Sequence, residues 1–189
     1  MKPWIPNAIT LARMATVPLL VWLTLADARG AFNILLLVAL ASDALDGWLA
    51  RRWGLSSAIG ARLDSLADVL LMTAVLFALW RFRPTMFTEY GVPIYAVIVL
   101  LLLGHAAALL RFGHLASFHT RLLRSGIAMF SVFAVVTLLW DFFPILFYAT
   151  LLCCALGALE QLIMVVLLPG WRADIRGGLI EVLRDRAKR

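Results

Sequence analysis

The sequence predicts an all-α integral membrane protein: six transmembrane helices with N-terminal and C-terminal interfacial segments on the cytoplasmic side. Three observations carry that fold class. Hydrophobic residues make up 63% of the 189-residue chain and charged residues only 15%, a balance that soluble domains do not show. The apolar residues fall into six runs, each close to the ~20 residues that a bilayer-crossing helix needs, some slightly shorter. Lys and Arg gather in alternate connections, as they do on the cytoplasmic face of membrane proteins.

Taken in order, residues 1–7 form an interfacial lead-in, in which Pro3-Trp4-Ile5-Pro6 places Trp4 at head-group level. Pro6-Asn7 suits the start of a helix, and the first span covers Ala8–Ala26, with Pro18 expected to bend it. Ala26-Asp27-Ala28 has the small-residue look of a signal cleavage site, but Arg13 lies too deep for a signal core, so the span is expected to stay. The remaining spans are Phe32–Trp48, Asp64–Trp80, Val92–Leu110, Gly126–Trp140 and Ile145–Leu168. Residues 8–168 thus make a six-helix bundle. In the tail, residues 169–189, Ile175, Leu179, Ile180 and Leu183 fall on one side and Arg/Asp on the other, predicting a helix on the membrane surface, against which Gly177-Gly178 argues. With no repeat, low-complexity segment or domain boundary, residues 1–189 read as one transmembrane domain, and any chemistry must be built from its helices and short connections.

Orientation follows from the same charges. Only Arg29, Arg81 and Arg83 follow the first, third and fifth spans, whereas fourteen of the 17 Lys and Arg lie on the other side. Both termini are therefore expected in the cytoplasm. The net charge of +6 favours anionic lipid head groups; without a soluble basic module, nucleic acid is not an expected partner. Adjacent Cys153 and Cys154, inside the sixth span, read as small apolar packing residues.

Against this apolar background stand four aspartates. Asp43, Asp46, Asp64 and Asp68 are four of eleven acidic residues and fall within 26 positions. Unpaired and ionised at full depth, they would cost on the order of 10 kcal/mol, so positive charge must sit among them. Asp43 and Asp46, at i, i+3, share a helix face near the cytoplasmic end of the second span; Asp64 and Asp68, at i, i+4, share one at the start of the third. The connection Arg51–Leu63 is short enough to bring the two ends together. An all-oxygen set without Cys favours a hard divalent cation, Mg²⁺ or Mn²⁺, over zinc. Gly47 and Gly60 permit close approach of a polyphosphate or another backbone, and Arg51 is placed to grip phosphate. The plainer alternative is that Asp64 and Asp68 only complement the N-terminal dipole of the third helix.

The stretch Asp43-x2-Asp46-Gly47-x2-Ala50-Arg51-x8-Gly60-x3-Asp64-x3-Asp68 resembles the complete signature of the CDP-alcohol phosphatidyltransferase family. The resemblance extends more weakly to the opening Pro6-Asn7-x2-Thr10-x2-Arg13 and to the six-helix size. It implies transfer of the phosphatidyl group of a CDP-linked lipid, CDP-diacylglycerol, to an alcohol, with release of CMP. It also implies Asp43, Asp46, Asp64 and Asp68 as the metal site, Asp68 doubling as general base. Gly47, Arg51, Gly60, Asn7 and Thr10 would contact the CDP group. A homodimer with a cytoplasm-facing site is implied, and the expected location is a bacterial inner (plasma) membrane.

The acceptor is less legible. Arg111, His114, His119, Arg121 and Arg124 lie on the same side as the acids; Arg111, Arg121 and Arg124 suit an anion pocket for a phosphorylated acceptor such as glycerol 3-phosphate, or ordinary cytoplasmic charge. Ser65-Leu66-Ala67-Asp68-Val69 departs from phosphatidylglycerophosphate synthases in lacking the usual proline and the lysine after the last Asp, so serine, inositol, inositol phosphate or a lipid-like acceptor stays open. His105 reads as a satisfied core histidine, and Glu160-Gln161 as bonding across to another helix or subunit or lining the acceptor cavity. The non-enzyme alternatives are a divalent-cation or proton-coupled transporter, whose acids normally lie near the midplane of repeated helices, and a structural membrane subunit.

Overall fold

The computed structural model describes the backbone of residues 5–53, 58–113, 120–168, 170 and 177–187; within these helices, the side chains of residues 5–10, 43–44, 46–53, 58–65 and 185–187 are outside the description. Eight helices make up the described residues, with no strand among them: α1 Ile5–Leu25, α2 Arg29–Trp53, α3 Ala58–Phe82, α4 Pro84–Glu89, α5 Gly91–Phe112, α6 Arg121–Leu139, α7 Pro144–Leu167 and α8 Gly178–Ala187. The six long helices follow the order of the six apolar runs. Three of them, α5, α6 and α7, are long and apolar enough to cross a membrane, and the stretches Leu11–Leu25 and Arg29–Ser42 are also apolar.

Most helices outrun the apolar segments. Helix α1 begins at Ile5, so Pro6 and Asn7 stand in its first turn, where the sequence placed the helix start. Helix α2 continues to Trp53 and α3 starts at Ala58, so most of the expected connection Arg51–Leu63 is helical. Hydropathy ends where the chain meets polar surroundings, whereas a helix ends where its backbone finds other hydrogen-bond partners. Helix α4 is an additional turn and a half opened by Pro84, in the first-turn position where a missing N–H loses nothing.

The chain divides into two compact units. The first is Met1–Met86 with Leu138–Trp140. In it α1 packs on both α2 and α3. Helix α3 buries Ala67, Leu71, Ala74, Val75, Ala78, Leu79 and Phe82, a stripe at helical spacing, while α2 presents Phe32, Leu36 and Ala39 in the same rhythm. Phe32 and Phe82 meet edge to face at 5.6 Å. The α1–α2 turn closes on Ala28 N–H donating to Leu23 O at 2.9 Å, with Asp27 at φ 54°, a left-handed position that Asp tolerates better than most side chains.

The second unit is Phe87–Thr137 with Asp141–Arg189. Helices α6 and α7 approach through glycine: a Cβ on Gly157 would sit 3.2 Å from Leu123 Cα, and one on Gly126 would sit 3.4 Å from the backbone at Cys153 and Cys154. Small residues at the contact are how helices associate closely in lipid. Tyr90, Phe133, Phe142 and Phe147 form an aromatic cluster with ring centroids 4.9–6.3 Å apart. Helix α5 ends on Gly113, φ 70°, whose N–H donates to Leu109 O.

Helix α8 is shorter than the tail segment expected. Gly177 and Gly178 precede or open it instead of interrupting it, with Gly178 at φ 60°. Val182 packs with Ala108, Met164, Val165 and Leu168, while Ile180 and Leu183 are exposed. Of the expected apolar side, Ile180 and Leu183 are exposed and Leu179 is half-buried, α8 docks through the flanking Val182, and Ile175 lies outside the described residues.

Candidate active site

In α2 and α3 the motif residues stand on unbroken helices. Asp43, Gly47 and Arg51 repeat at i, i+4, i+8 along one stripe of α2 with Asp46 beside it, and Gly60, Asp64 and Asp68 repeat likewise along α3. Asp46 stands about two turns before the end of α2. No acidic residue occupies the first turn of α3, so the dipole alternative fails: the effect fades beyond that turn. The side chains of Asn7, Thr10, Asp43, Asp46, Arg51 and Asp64, and the surroundings of Gly47 and Gly60, lie outside the described residues.

Asp68 is described, and it has a charged neighbour. Arg13 Nη1 of α1 lies 3.8 Å from Asp68 Oδ1, an ion-pair distance; the Arg13 side chain is wholly inaccessible and that of Asp68 is 28% exposed. The carbonyl of Arg13 accepts from Thr16 Oγ1 at 2.7 Å. A desolvated guanidinium is stable only beside negative charge, and α1, which carries it, packs on both acid-bearing helices. Sequence reasoning counted Arg13 with the cytoplasmic rim. The signal available was its place among the apolar residues Leu11, Ala12, Met14 and Ala15, where a rim charge would be costly.

The donor set suits a hard divalent cation: every candidate ligand is a carboxylate, and Asp68 is open enough to share an oxygen. Among the described residues no three His, Cys, Asp or Glu side chains come together; three of the four aspartates lie outside that description.

In the second unit, Arg111 is engaged with the backbone. Its Nη1 donates to Val166 O at 2.8 Å and its Nη2 to Leu168 O at 3.0 Å, satisfying carbonyls at the end of α7 that no helical N–H can reach. The guanidinium also lies 5.5 Å from the Phe112 ring centroid. Sequence reasoning missed this use, since nothing local marks which helix end an arginine will meet. Arg121 and Arg124 are exposed at the start of α6, where Thr120 Oγ1 caps the helix by accepting from Leu123 N–H at 3.1 Å. His114 and His119 lie outside the described residues.

The polar residues deep in α5 and α7 find partners across helices. His105 Nδ1 lies 2.9 Å from Leu101 O and 3.3 Å from Gln161 Nε2, and Gln161 packs against Gly104, where a Cβ would come within 3.0 Å of that nitrogen. Glu160 Oε1 accepts from Leu179 N–H at 3.0 Å, capping α8 from another helix.

Comparison with known proteins agrees with the motif. The family model described as CDP-alcohol phosphatidyltransferase matches residues 3–169. A cardiolipin synthase (CMP-forming) of Streptomyces coelicolor is 45% identical over 84 residues, 41% of this chain and 39% of the relative. A CDP-diacylglycerol–glycerol-3-phosphate 3-phosphatidyltransferase of Arabidopsis thaliana is 40% identical over 90 residues, 46% of this chain and 30% of the relative. One of the same description from Bacillus subtilis is 37% identical over 93 residues, 41% of this chain and 48% of the relative. The matched region spans less than half the length of these relatives. No solved structure matches the chain.

Proposed function

The chain belongs to the CDP-alcohol phosphatidyltransferase family, and we propose that it transfers the phosphatidyl group of CDP-diacylglycerol to the hydroxyl of an alcohol acceptor, releasing CMP. The observation that carries this reading is the full aspartate motif on two continuous helices inside the region matched by the family model.

Asp43, Asp46, Asp64 and Asp68 are the residues that would hold the family's divalent cation, Mg²⁺ or Mn²⁺, which when bound neutralises the diphosphate. Gly47 and Gly60 leave room for the CDP group, Arg51 grips its phosphate, and Asn7 and Thr10 complete the contact. Asp68 takes the proton of the acceptor hydroxyl. The freed oxygen forms a bond to the phosphatidyl phosphorus, the bond from that phosphorus to CMP breaks, and CMP carries away the electron pair. Binding both substrates at one interfacial pocket supplies proximity.

Residues 1–189 act as one transmembrane domain, crossing the membrane six times with both termini and the acids cytoplasmic, in a bacterial inner membrane and as a homodimer. The fourteen-to-three charge asymmetry supports the sidedness. A phosphorylated polyol, glycerol 3-phosphate above all, is the acceptor best supported, because two of the relatives above are described by it. Arg111, Arg121 and Arg124 are the candidates to receive its phosphate; for Arg111 this adds to its hold on α7. A second reading, a lipid-borne hydroxyl with cardiolipin as product, is favoured by the Streptomyces relative and by the missing proline and lysine around Asp68.

The test is purified protein supplied with CDP-diacylglycerol and, separately, glycerol 3-phosphate, a lipid whose head group ends in a glycerol hydroxyl, serine and inositol. CMP release is expected with one acceptor far above the others, glycerol 3-phosphate first. Equal release with all of them, or none, contradicts the assignment.

A further inference from the structure

Arg13 has no place in the reaction just described, yet it is the most deeply buried charge among the described residues. Its side chain is wholly inaccessible, and among the described residues it stands at ion-pair distance, 3.8 Å, from the Asp68 carboxylate. It projects from α1, which packs on both helices that carry the acids. We infer that Arg13 is a positioning residue: it holds the Asp68 carboxylate and counterbalances the negative charge of the acid motif, so that the site is assembled before a divalent cation enters.

Two chemical consequences follow. A fixed positive charge beside the acids weakens their attraction for a divalent cation, so the pocket holds that cation less tightly than four bare carboxylates would. At 3.8 Å the contact is an ion pair, longer than a hydrogen bond, so Arg13 supplies Asp68 with a charge at a fixed place, which the shorter and more flexible Lys side chain would hold less well. The inference rests on the transferase reading for its effect on turnover. Its effects on cation binding and stability are independent of that reading.

The experiment uses the full chain in detergent, comparing R13M, R13K, D68N and the double variant R13M/D68N. Mn²⁺ binding is read by the electron paramagnetic resonance of free Mn²⁺, without lipid substrate. R13M is expected to bind Mn²⁺ at least about threefold more tightly than the wild type, while CMP release falls at least about tenfold with little change in KM for the CDP-lipid. Unchanged or weaker Mn²⁺ binding in folded R13M overturns the proposal, as does unchanged turnover. R13K, which keeps the charge, should bind Mn²⁺ within about twofold of wild type but turn over at least about fivefold more slowly; wild-type turnover there also overturns it, and this arm stands even where R13M fails to fold. In cation-free protein, the melting losses of R13M and D68N should sum to more than the loss of the double variant, and additive losses would break the pairing. If the wild type releases no CMP, the transferase reading falls while the Mn²⁺ and melting arms still decide the role of Arg13.

Discussion

Asp68 and Arg13 illustrate how a single buried charge constrains its surroundings. A carboxylate among apolar helices requires a positive partner at short range, and Arg13 supplies it from a neighbouring helix with no solvent contact of its own. If Asp68 is the base, Asp68→Asn should lower CMP release by at least about a hundredfold, the lower end of what a positioned general base contributes. Binding of the CDP-lipid, measured by equilibrium retention, should stay within several-fold. Near-normal release removes Asp68 from that role. The acids themselves were legible from sequence because their spacing repeats at i, i+3 and i, i+4 and glycines interrupt an otherwise bulky stretch. The partner was not. The depth of Arg13 was legible, but counting it by side of the membrane left its role open, and only the packing of α1 against α3 shows that it faces Asp68. Glu160 teaches the same lesson: its burial in α7 signals a partner, but Leu179 N–H lies 19 residues away, beyond a turn that no periodicity reveals.

At the scale of elements, the six apolar runs located the long helices, and their order survives intact. Their ends were less legible. Arg51 to Trp53 and Ala58 to Leu63 remain helical because Ala, Leu and Arg are good helix formers even after hydropathy falls. The short α4 escaped because it is too short to register as a run, whereas a tail helix was expected and only its docking through Val182 was not legible. Close packing of α6 on α7 makes a specific prediction. Gly157→Ala would place a methyl group 3.2 Å from the Leu123 Cα, backbone against backbone, where no side-chain rotation relieves it. The expected cost is about 1–3 kcal/mol, read as a lower melting temperature or a lower denaturant midpoint in detergent; an unchanged transition shows that the two helices are not held at that distance. At Gly178, an alanine would collide with Glu160 Oε1 and also strain a φ of 60°. Gly178→Ala should therefore release α8, exposing the Ala108–Met164–Leu168 patch to faster proteolysis of the tail. Protection equal to wild type argues that α8 is held elsewhere.

At the scale of the whole molecule, exposed apolar side chains are the dominant fact among the described residues. Large hydrophobics such as Val92, Leu102, Leu110, Ile145 and Val166 are exposed on the outer faces of α5 and α7, a surface that suits lipid and not water. Several hydroxyls inside the helices turn back on their own carbonyls, as Thr24 does to Leu20 O at 2.8 Å and Thr150 to Leu146 O at 2.8 Å, which satisfies them where water is absent. Such a body offers chemistry only at its polar interruptions, and the aspartate stripes of α2 and α3 are the concentrated one. The central claim is that these acids hold a divalent cation at which a CDP-lipid is cleaved. It is tested most directly by CMP release from CDP-diacylglycerol and glycerol 3-phosphate by the purified full chain, before and after exhaustive chelation with EDTA. Release is expected to fall below one-hundredth of its starting rate on chelation and to return on adding Mg²⁺ or Mn²⁺. Release that persists undiminished through chelation, or no release with either metal and any acceptor, would contradict the account.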